Sequence, residues 1–298
     1  ELIVGNDSGA VATLVSSVGA NTVGKKIIQL QSGFYYGENK FLTGNKTYNN
    51  LNSTLRYGIT ERLEINTNWV YQTENYLSIR QNGFKIGHAR LAKPAALNAL
   101  DLQMINLLTP QLLTWQADPL VAMVLLDGEG QRAFCAGGDV VSLHHAMAQG
   151  KPTSLVEEFF TLEYKLDYLI HTFDKPILVW GNGIVMGGGL GLMAGASHRV
   201  VTETSRIAMP EQTIGLYPDV GGSYFLHKMP QGVGLFLGLT SASINCEDAR
   251  FVSLADHFID STKYDAMLAQ ILAAKWGKTA SLNHERLTKL LTDLDNQS

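Results

Sequence analysis

Twice between residues 120 and 195 the sequence runs a short, wholly apolar stretch into a glycine-rich turn, and that pattern leaves few folds open. Residues 120–126 and 176–180 are continuous apolar runs suited to strands buried on both faces. Helical spacing precedes each run, over residues 102–115 and 156–171. Buried strands alternating with helices predict an α/β fold. A β-hairpin is expected over residues 77–91, with Asn82 and Gly83 in its turn, and residues 282–294 read as an amphipathic helix.

The first 77 residues are of another kind. They hold no Met, His, Pro or Cys, although the chain of 298 residues has eight Met, eight His, eight Pro and two Cys. Ten of its seventeen Asn fall there. Between residues 27 and 71 apolar and polar positions alternate: Ile28, Leu30, Phe34 and Tyr36 against Gln29 and Gln31, then Leu51, Leu55, Tyr57 and Ile59 against Asn52, Thr54 and Arg56. This predicts antiparallel strands of about ten residues with a tight connection at residues 58–62, and it resembles part of an outer-membrane β-barrel. Three strands cannot close a barrel. Residues 1–77 are therefore expected to be a β-rich appendage of unassigned role, and residues 78–298 a second domain.

Composition excludes several classes of function. Charged residues are only 17% and the net charge is −4, so no basic face is available to read the phosphates of a nucleic acid. The apolar and glycine run over residues 186–196 is too short for the roughly 18 to 20 residues of a membrane helix, which gives no clear membrane role. Cys135 and Cys246 lie far apart without metal-ligand spacing, which suits a reducing compartment and, with no secretory or transit signal in view, a cytoplasmic location. Cys135 reads as a small packed residue and the pair His144 and His145 as exposed helix residues. No metal site and no separate cofactor are expected. A G-x-G-x-x-x-G run at Gly189, Gly191 and Gly195 imitates a dinucleotide fingerprint only loosely.

Three stretches carry the chemistry. Ala133-Phe134-Cys135-Ala136-Gly137-Gly138-Asp139 and Gly181-Asn182-Gly183-Ile184-Val185-Met186-Gly187-Gly188-Gly189-Leu190-Gly191 each follow a buried strand. Met209-Pro210-Glu211 with Gly215-Leu216-Tyr217-Pro218-Asp219-Val220-Gly221-Gly222 makes the third. Glycine lets the backbone approach a ligand and turn its N–H groups outward, and two such turns can hold one carbonyl oxygen between two N–H donors. Tight helix-on-strand packing is the competing explanation for any one glycine cluster. On the residues alone, Asp219 can be an N-cap after Pro218, Glu211 a solvated first-turn residue, and Asp139 an N-cap stiffening its turn.

Together these stretches resemble the crotonase (enoyl-CoA hydratase/isomerase) superfamily over roughly residues 78–262, and residues 90–100 match that family's first hairpin and turn. The resemblance implies a superhelix of β-β-α repeats, an acyl-CoA thioester as substrate with coenzyme A part of it, and a thioester oxygen held by the N–H groups of Gly138 and Gly188. Gly137, Asp139 and Gly187 would complete the substrate-binding turns. Arg90 and Lys93 are basic residues that can meet CoA phosphates, without individual assignment. Many crotonases are trimers or dimers of trimers, so a homo-oligomer is within the resemblance.

The carboxylates select among reactions. Hydratases of this pattern carry a Glu where this chain has Gly191, and a second where it has Glu211. A two-carboxylate hydration thus lacks one group. Glu211 with Asp219 instead resembles the 3-hydroxyisobutyryl-CoA hydrolase branch, in which Glu211 would attack the thioester carbonyl or activate water and Asp219 would orient the hydroxyacyl group or assist proton transfer, in valine breakdown. A hydratase or isomerase working with Glu211 alone, and an inactive truncated fusion, remain the alternatives. Hydrolases of that branch continue past their counterpart of residues 296–298, so the domain is expected to be C-terminally incomplete.

Overall fold

A computed structural model describes residues 84–150 and 154–298 in full and, before them, the backbone of five strands. The chain divides into two compact units, Glu1–Leu77 and Ser78–Ser298. In the first, β1 (Leu2–Val4) pairs antiparallel with β2 (Ala12–Leu14). The strands β3 (Ile28–Phe41), β4 (Gly44–Thr60) and β5 (Leu63–Thr73) form an antiparallel sheet in that order, with Ile28 in register with Tyr57 and Tyr57 with Ile65. These strands are longer than the alternation predicted, at 14, 17 and 11 residues. β4 runs through most of the connection expected at residues 58–62.

The hairpin expected over residues 77–91 falls only partly on described residues. Residues 77–83, including Asn82 and Gly83, lie outside the described residues. The other half is a strand, β6 (Lys85–Leu91), whose described neighbour is not a hairpin partner: it runs parallel to a later strand, with His88 in register with Leu125. A parallel pair needs a crossover of a dozen or more residues, and α1 (Leu102–Ala117) supplies it before β7 (Val121–Gly128). Asp101 caps α1 by accepting a hydrogen bond from the Met104 amide at 2.9 Å. All eight residues of β7 are buried, as its continuous apolar run predicts.

Three β-β-α repeats follow. The first comprises β7, β8 (Ala133–Cys135), α2 (Val140–Ala148) and α3 (Ser154–His171). The second has β9 (Ile177–Gly181), β10 (Ile184–Met186) and α4 (Gly188–Gly195). In the third, β11 (His198–Val201) and β12 (Arg206–Ala208) lead to the short helices α5 (Gly222–His227), α6 (Val233–Thr240) and α7 (Cys246–Phe251). Next come β13 (His257–Phe258), α8 (Tyr264–Ala273) and α9 (Ala280–Asp295).

First strands and second strands of the repeats join separate parallel sheets, ordered β13-β11-β9-β7-β6 and β12-β10-β8. Because β8, β10 and β12 are parallel neighbours, the turns that leave their C-terminal ends emerge at one edge. Those turns contain Gly137-Gly138, Gly187-Gly188 and Glu211, which brings all three sequence stretches together.

The large sheet owes its stability to the C-terminal helices. Met267 and Ile271 of α8, Trp276, and Leu287, Leu291 and Leu294 of α9 form one core with Met123, Leu125, Leu178, Trp180 and Val200. Each such side chain contributes about 1.5–3 kcal/mol on burial. Asn283, also buried, donates to the carbonyls of Ala122 (3.3 Å) and Gly277 (3.0 Å) and accepts from the Gly277 amide (2.7 Å). Residues past 262, beyond the span of the sequence resemblance, are thus integral to the fold. Arg90 belongs to the same scaffold: it grips the buried Asp127 through two nitrogens, at 2.9 and 2.7 Å, beside His88 and Tyr264. Burial alone would raise the Asp127 carboxyl, but Arg90 and His88 hold it down at about 2. Among the described residues no helix is long and apolar enough to cross a membrane.

Candidate active site

The turn after β8 is held by α1's approach. Gly137 accepts from the Leu100 amide and Asp139 donates its amide to the Leu100 carbonyl, both at 2.8 Å. That pairing leaves the N–H of Gly138, between them, without an acceptor among the described residues. Gly188 begins α4, so its N–H is one of the helix's orphan donors and also has no acceptor there. The two glycines adjoin: a β-carbon on Gly188 would stand 3.3 Å from the Gly138 nitrogen. Gly187 places this pair through φ 49° and ψ −123°, a conformation open only to glycine. Two unpaired N–H donors side by side can bind one carbonyl oxygen or oxyanion.

Asp139 caps α2, accepting from the Ser142 amide at 3.0 Å and its hydroxyl at 2.7 Å, and pairs with Lys93 at 2.7 Å. Against the effect of burial, Lys93 and Ser142 hold its carboxyl below the ordinary range. Lys93 in turn bridges Asp139 to Asp101, at 2.9 Å. Asp139 therefore stiffens the turn and has its oxygens engaged; Arg90 and Lys93, the basic residues singled out in the sequence, are both tied into ion pairs.

Glu211 opens a short 3-10 turn, Glu211–Ile214, directly after β12. It is not a solvated first-turn residue: only 6% of its surface is exposed, and Oε2 is buried with no hydrogen-bond partner. Oε1 lies 2.8 Å from where a β-carbon on Gly187 would stand, so the carboxyl is turned toward the glycine turn. Burial, opposed by its own amide and reinforced by the Asp219 charge, pushes it up to about 7. Asp219 is likewise not an N-cap, since α5 is preceded by Gly221 at φ 81°. Its carboxylate instead accepts from the Tyr164 hydroxyl at 2.8 Å.

Two carboxyls absent from the sequence expectations stand in the same site, both on α3. Glu163 is 2% exposed, and Oε1 lies 3.6 Å from the β-carbon position of Gly138 and closer still to that of Gly188. Burial and the charges of Asp219 and Glu211 push it up to about 8. Asp167, one turn on, has both oxygens buried without partners, and burial, with Glu163 and Asp219, raises it well above the carboxylate range. Their signal was available: α3 buries Phe159, Glu163, Leu166 and Ile170, and an acid on an apolar stripe at helical spacing is a misfit that asks for a role.

Other candidates resolve simply. At Gly191 a β-carbon would meet Val220 Cβ at 2.6 Å and Asp167 Oδ1 at 3.0 Å, so no side chain can stand there unless its surroundings move. Cys135 is fully buried and burial pushes its thiol up to about 12, far from a reactive thiolate. His144 and His145 are exposed on α2. Gly189, Gly191 and Gly195 lie within α4 rather than in a phosphate loop. Among the described residues no group of three or more side chains is arranged to hold a metal ion.

The profile of the family described as Enoyl-CoA hydratase/isomerase matches residues 86–298. Among curated relatives, 3-hydroxyisobutyryl-CoA hydrolase, mitochondrial, from Danio rerio is 43% identical over 191 residues, covering 64% of this chain and 50% of the relative. Small ribosomal subunit protein mS47 from Neurospora crassa is 40% identical over 190 residues, covering 63% of this chain and 37% of the relative. Among solved structures, an enoyl-CoA hydratase from Rhodobacter sphaeroides 2.4.1 superposes with a TM-score of 0.61 at 39% identity, covering 71% of this chain and 63% of that one. The chain spans about half the length of the hydrolase relatives it matches.

Proposed function

We propose that this chain, which belongs to the enoyl-CoA hydratase/isomerase family, hydrolyses a small 3-hydroxyacyl-CoA thioester, 3-hydroxyisobutyryl-CoA foremost, to the free acid and CoA. The observation that carries this reading is the buried Glu211 carboxyl, its Oε2 without a partner, beside two free N–H donors, with glycine at 191 where a hydration would need a second carboxylate. The 43% identity to a hydrolase of that name supports the choice of substrate.

In this reading the thioester oxygen lies between the N–H groups of Gly138 and Gly188, which strengthen their hold as it becomes an oxyanion. Gly137 and Gly187 set the turns, and Asp139 stiffens one of them without touching substrate. Ionised Glu211 attacks the carbonyl carbon to give a tetrahedral oxyanion, whose collapse breaks the C–S bond, releases the CoA sulfur with the electron pair and leaves a Glu211 anhydride that water hydrolyses to the free acid. Alternatively, Glu211 takes a proton from the water that attacks, and collapse of the resulting oxyanion breaks the C–S bond and releases the acid directly. A base held near 7 is half ionised at neutral pH, where a general base works best. Asp219, fixed by Tyr164, orients the hydroxyacyl group or passes a proton. Coenzyme A enters as part of the substrate and no further cofactor is used. The reaction belongs to valine breakdown in a reducing, CoA-containing compartment such as the cytoplasm; the hydrolase relatives are described as mitochondrial.

Steady-state release of free CoA from 3-hydroxyisobutyryl-CoA by the full chain, with Glu211→Gln as control, tests the proposal. Loss of nearly all turnover in the variant is expected; equal rates in both proteins would sink it. Hydration of crotonyl-CoA without CoA release would favour a hydratase using Glu211 alone.

A further inference from the structure

The ammonium of Lys93 joins two helix caps: it donates to Asp101, the N-cap of α1, at 2.9 Å and to Asp139, the N-cap of α2, at 2.7 Å. The backbone of Lys93 is fixed independently. Its amide donates to Asn98 Oδ1 at 3.0 Å, and its carbonyl accepts from the amides of Ala96 and Asn98 at 2.9 and 3.0 Å. Asn98 is buried and donates in turn to the carbonyl of Ala133, the first residue of β8, at 2.8 Å. Lys93 is thus anchored at the start of β8 through its main chain and at the turn that leaves β8 through its side chain. Residues 97–100 close the space between these anchors: the Leu97 carbonyl accepts from the Ala136 amide at 3.0 Å, and Leu100 meets Gly137 and Asp139.

We propose that Lys93 is a positioning residue for the oxyanion site: by holding the Asp139 carboxylate against that of Asp101, it fixes the direction of the Gly138 N–H. This deepens the acyl-CoA reading above and rests on it. Gly138 has no side chain to restrict its backbone, so the aim of its N–H is set by its two neighbours. Gly137, before it, is itself a flexible residue at φ 111°. Asp139, after it, carries a side chain that is only 12% exposed and is gripped by Lys93 and Ser142. Ser142 belongs to α2 and moves with it, whereas Lys93 ties the same carboxylate to the N-terminus of α1. A donor stabilises an oxyanion only while it points at the place where the charge develops, and a displacement of about 1 Å can lower a rate by about 10²-fold.

The test compares Lys93→Met and Lys93→Arg with wild type in the full chain. With 3-hydroxyisobutyryl-CoA, Lys93→Met is expected to lower kcat about tenfold, short of the about 10²–10³ that follows removal of a donor, with KM little changed. Lys93→Arg, which can keep both ion pairs, should retain most of the rate. A readout free of turnover comes from a ketone analogue of the acyl-CoA, with a methylene in place of the sulfur and carbon-13 at the carbonyl. Two N–H donors polarise that carbonyl and move its NMR signal downfield on binding. The shift should be smaller in Lys93→Met at saturating analogue and restored in Lys93→Arg. An unchanged kcat with an undiminished shift in Lys93→Met would overturn the positioning role. A raised KM with kcat and shift intact would overturn it too, making Lys93 a contact to the CoA phosphates, and a wild type that leaves the signal unmoved would remove it together with the oxyanion site. A shift that Lys93→Met diminishes, in a chain that releases no CoA, would leave the positioning role standing and remove the hydrolase reading; CoA release with equal shifts in both proteins would do the reverse.

Discussion

The Tyr164 hydroxyl donates to Asp219 Oδ2 at 2.8 Å, tying α3 to the loop that follows Glu211. Tyr164→Phe removes that tie without changing the ring. A hydrogen bond to a charged group is worth about 1.5–3 kcal/mol, so kcat for CoA release should fall about tenfold or more, with KM less affected. Steady-state kinetics of the purified variant check this; an unchanged kcat would separate Asp219 from the reaction.

The rate should rise with pH as Glu211 ionises, with the midpoint of the ascending limb near its value of about 7. Asp219 contributes to that value by like-charge repulsion. Asp219→Asn therefore should move the limb to lower pH, whatever it does to the maximum rate. A pH profile of kcat/KM for both proteins measures the shift and its sign.

Gly188→Ala puts a methyl group into the space held by the Glu163 carboxyl and beside the Gly138 N–H. Displacing one oxyanion donor costs about 10²–10³ in kcat, and a loss of that size is expected. Thermal melting would show whether the second unit still folds.

Glu163 and Glu211 predict a pH dependence of stability. Both are raised in the folded protein, to about 8 and about 7, above the 4.5 of an ordinary Glu. The folded state thus holds more protons than the unfolded one across that interval. Their contribution is complete below about 4.5 and is lost as pH rises toward 8. Stability of the second unit should fall over that window, and Glu163→Gln should flatten the slope. Urea unfolding at pH 5 and pH 8 decides it.

At the opposite face of the large sheet, Leu291→Ala should destabilise the second unit by about 2–5 kcal/mol, because Leu291 is fully buried in the core shared by α9 and the sheet. Denaturant titration would register it as a lower midpoint. A change below 0.5 kcal/mol would mean that α9 is not part of the folded core.

Much of this architecture was legible in the chain. The wholly apolar run of β7 announced a strand buried on both faces, the 3.6-residue periodicity over residues 156–171 announced α3, and the glycine stretches announced turns that carry backbone donors. Glu211 and Asp219 were legible only through their place beside those glycines. The partner of β6 was not legible, since a seven-residue strand takes its neighbour from the crossover that follows, and here α1 carries the chain around to lie parallel with it. Arg90 invited a role in binding phosphates because a sequence does not reveal that a buried Asp127 lies across the sheet from it.

Local pattern determined the strands, the helices and the positions where the backbone turns its N–H groups outward, because periodicity and the lack of a Cβ act within a few residues. Only the tertiary structure decided what meets at the edge where β8, β10 and β12 end. Desolvation and like-charge repulsion depend on distances across elements, and so it is packing that leaves Glu211 Oε2 without a partner, sets Glu163 beside the two glycines and buries both oxygens of Asp167.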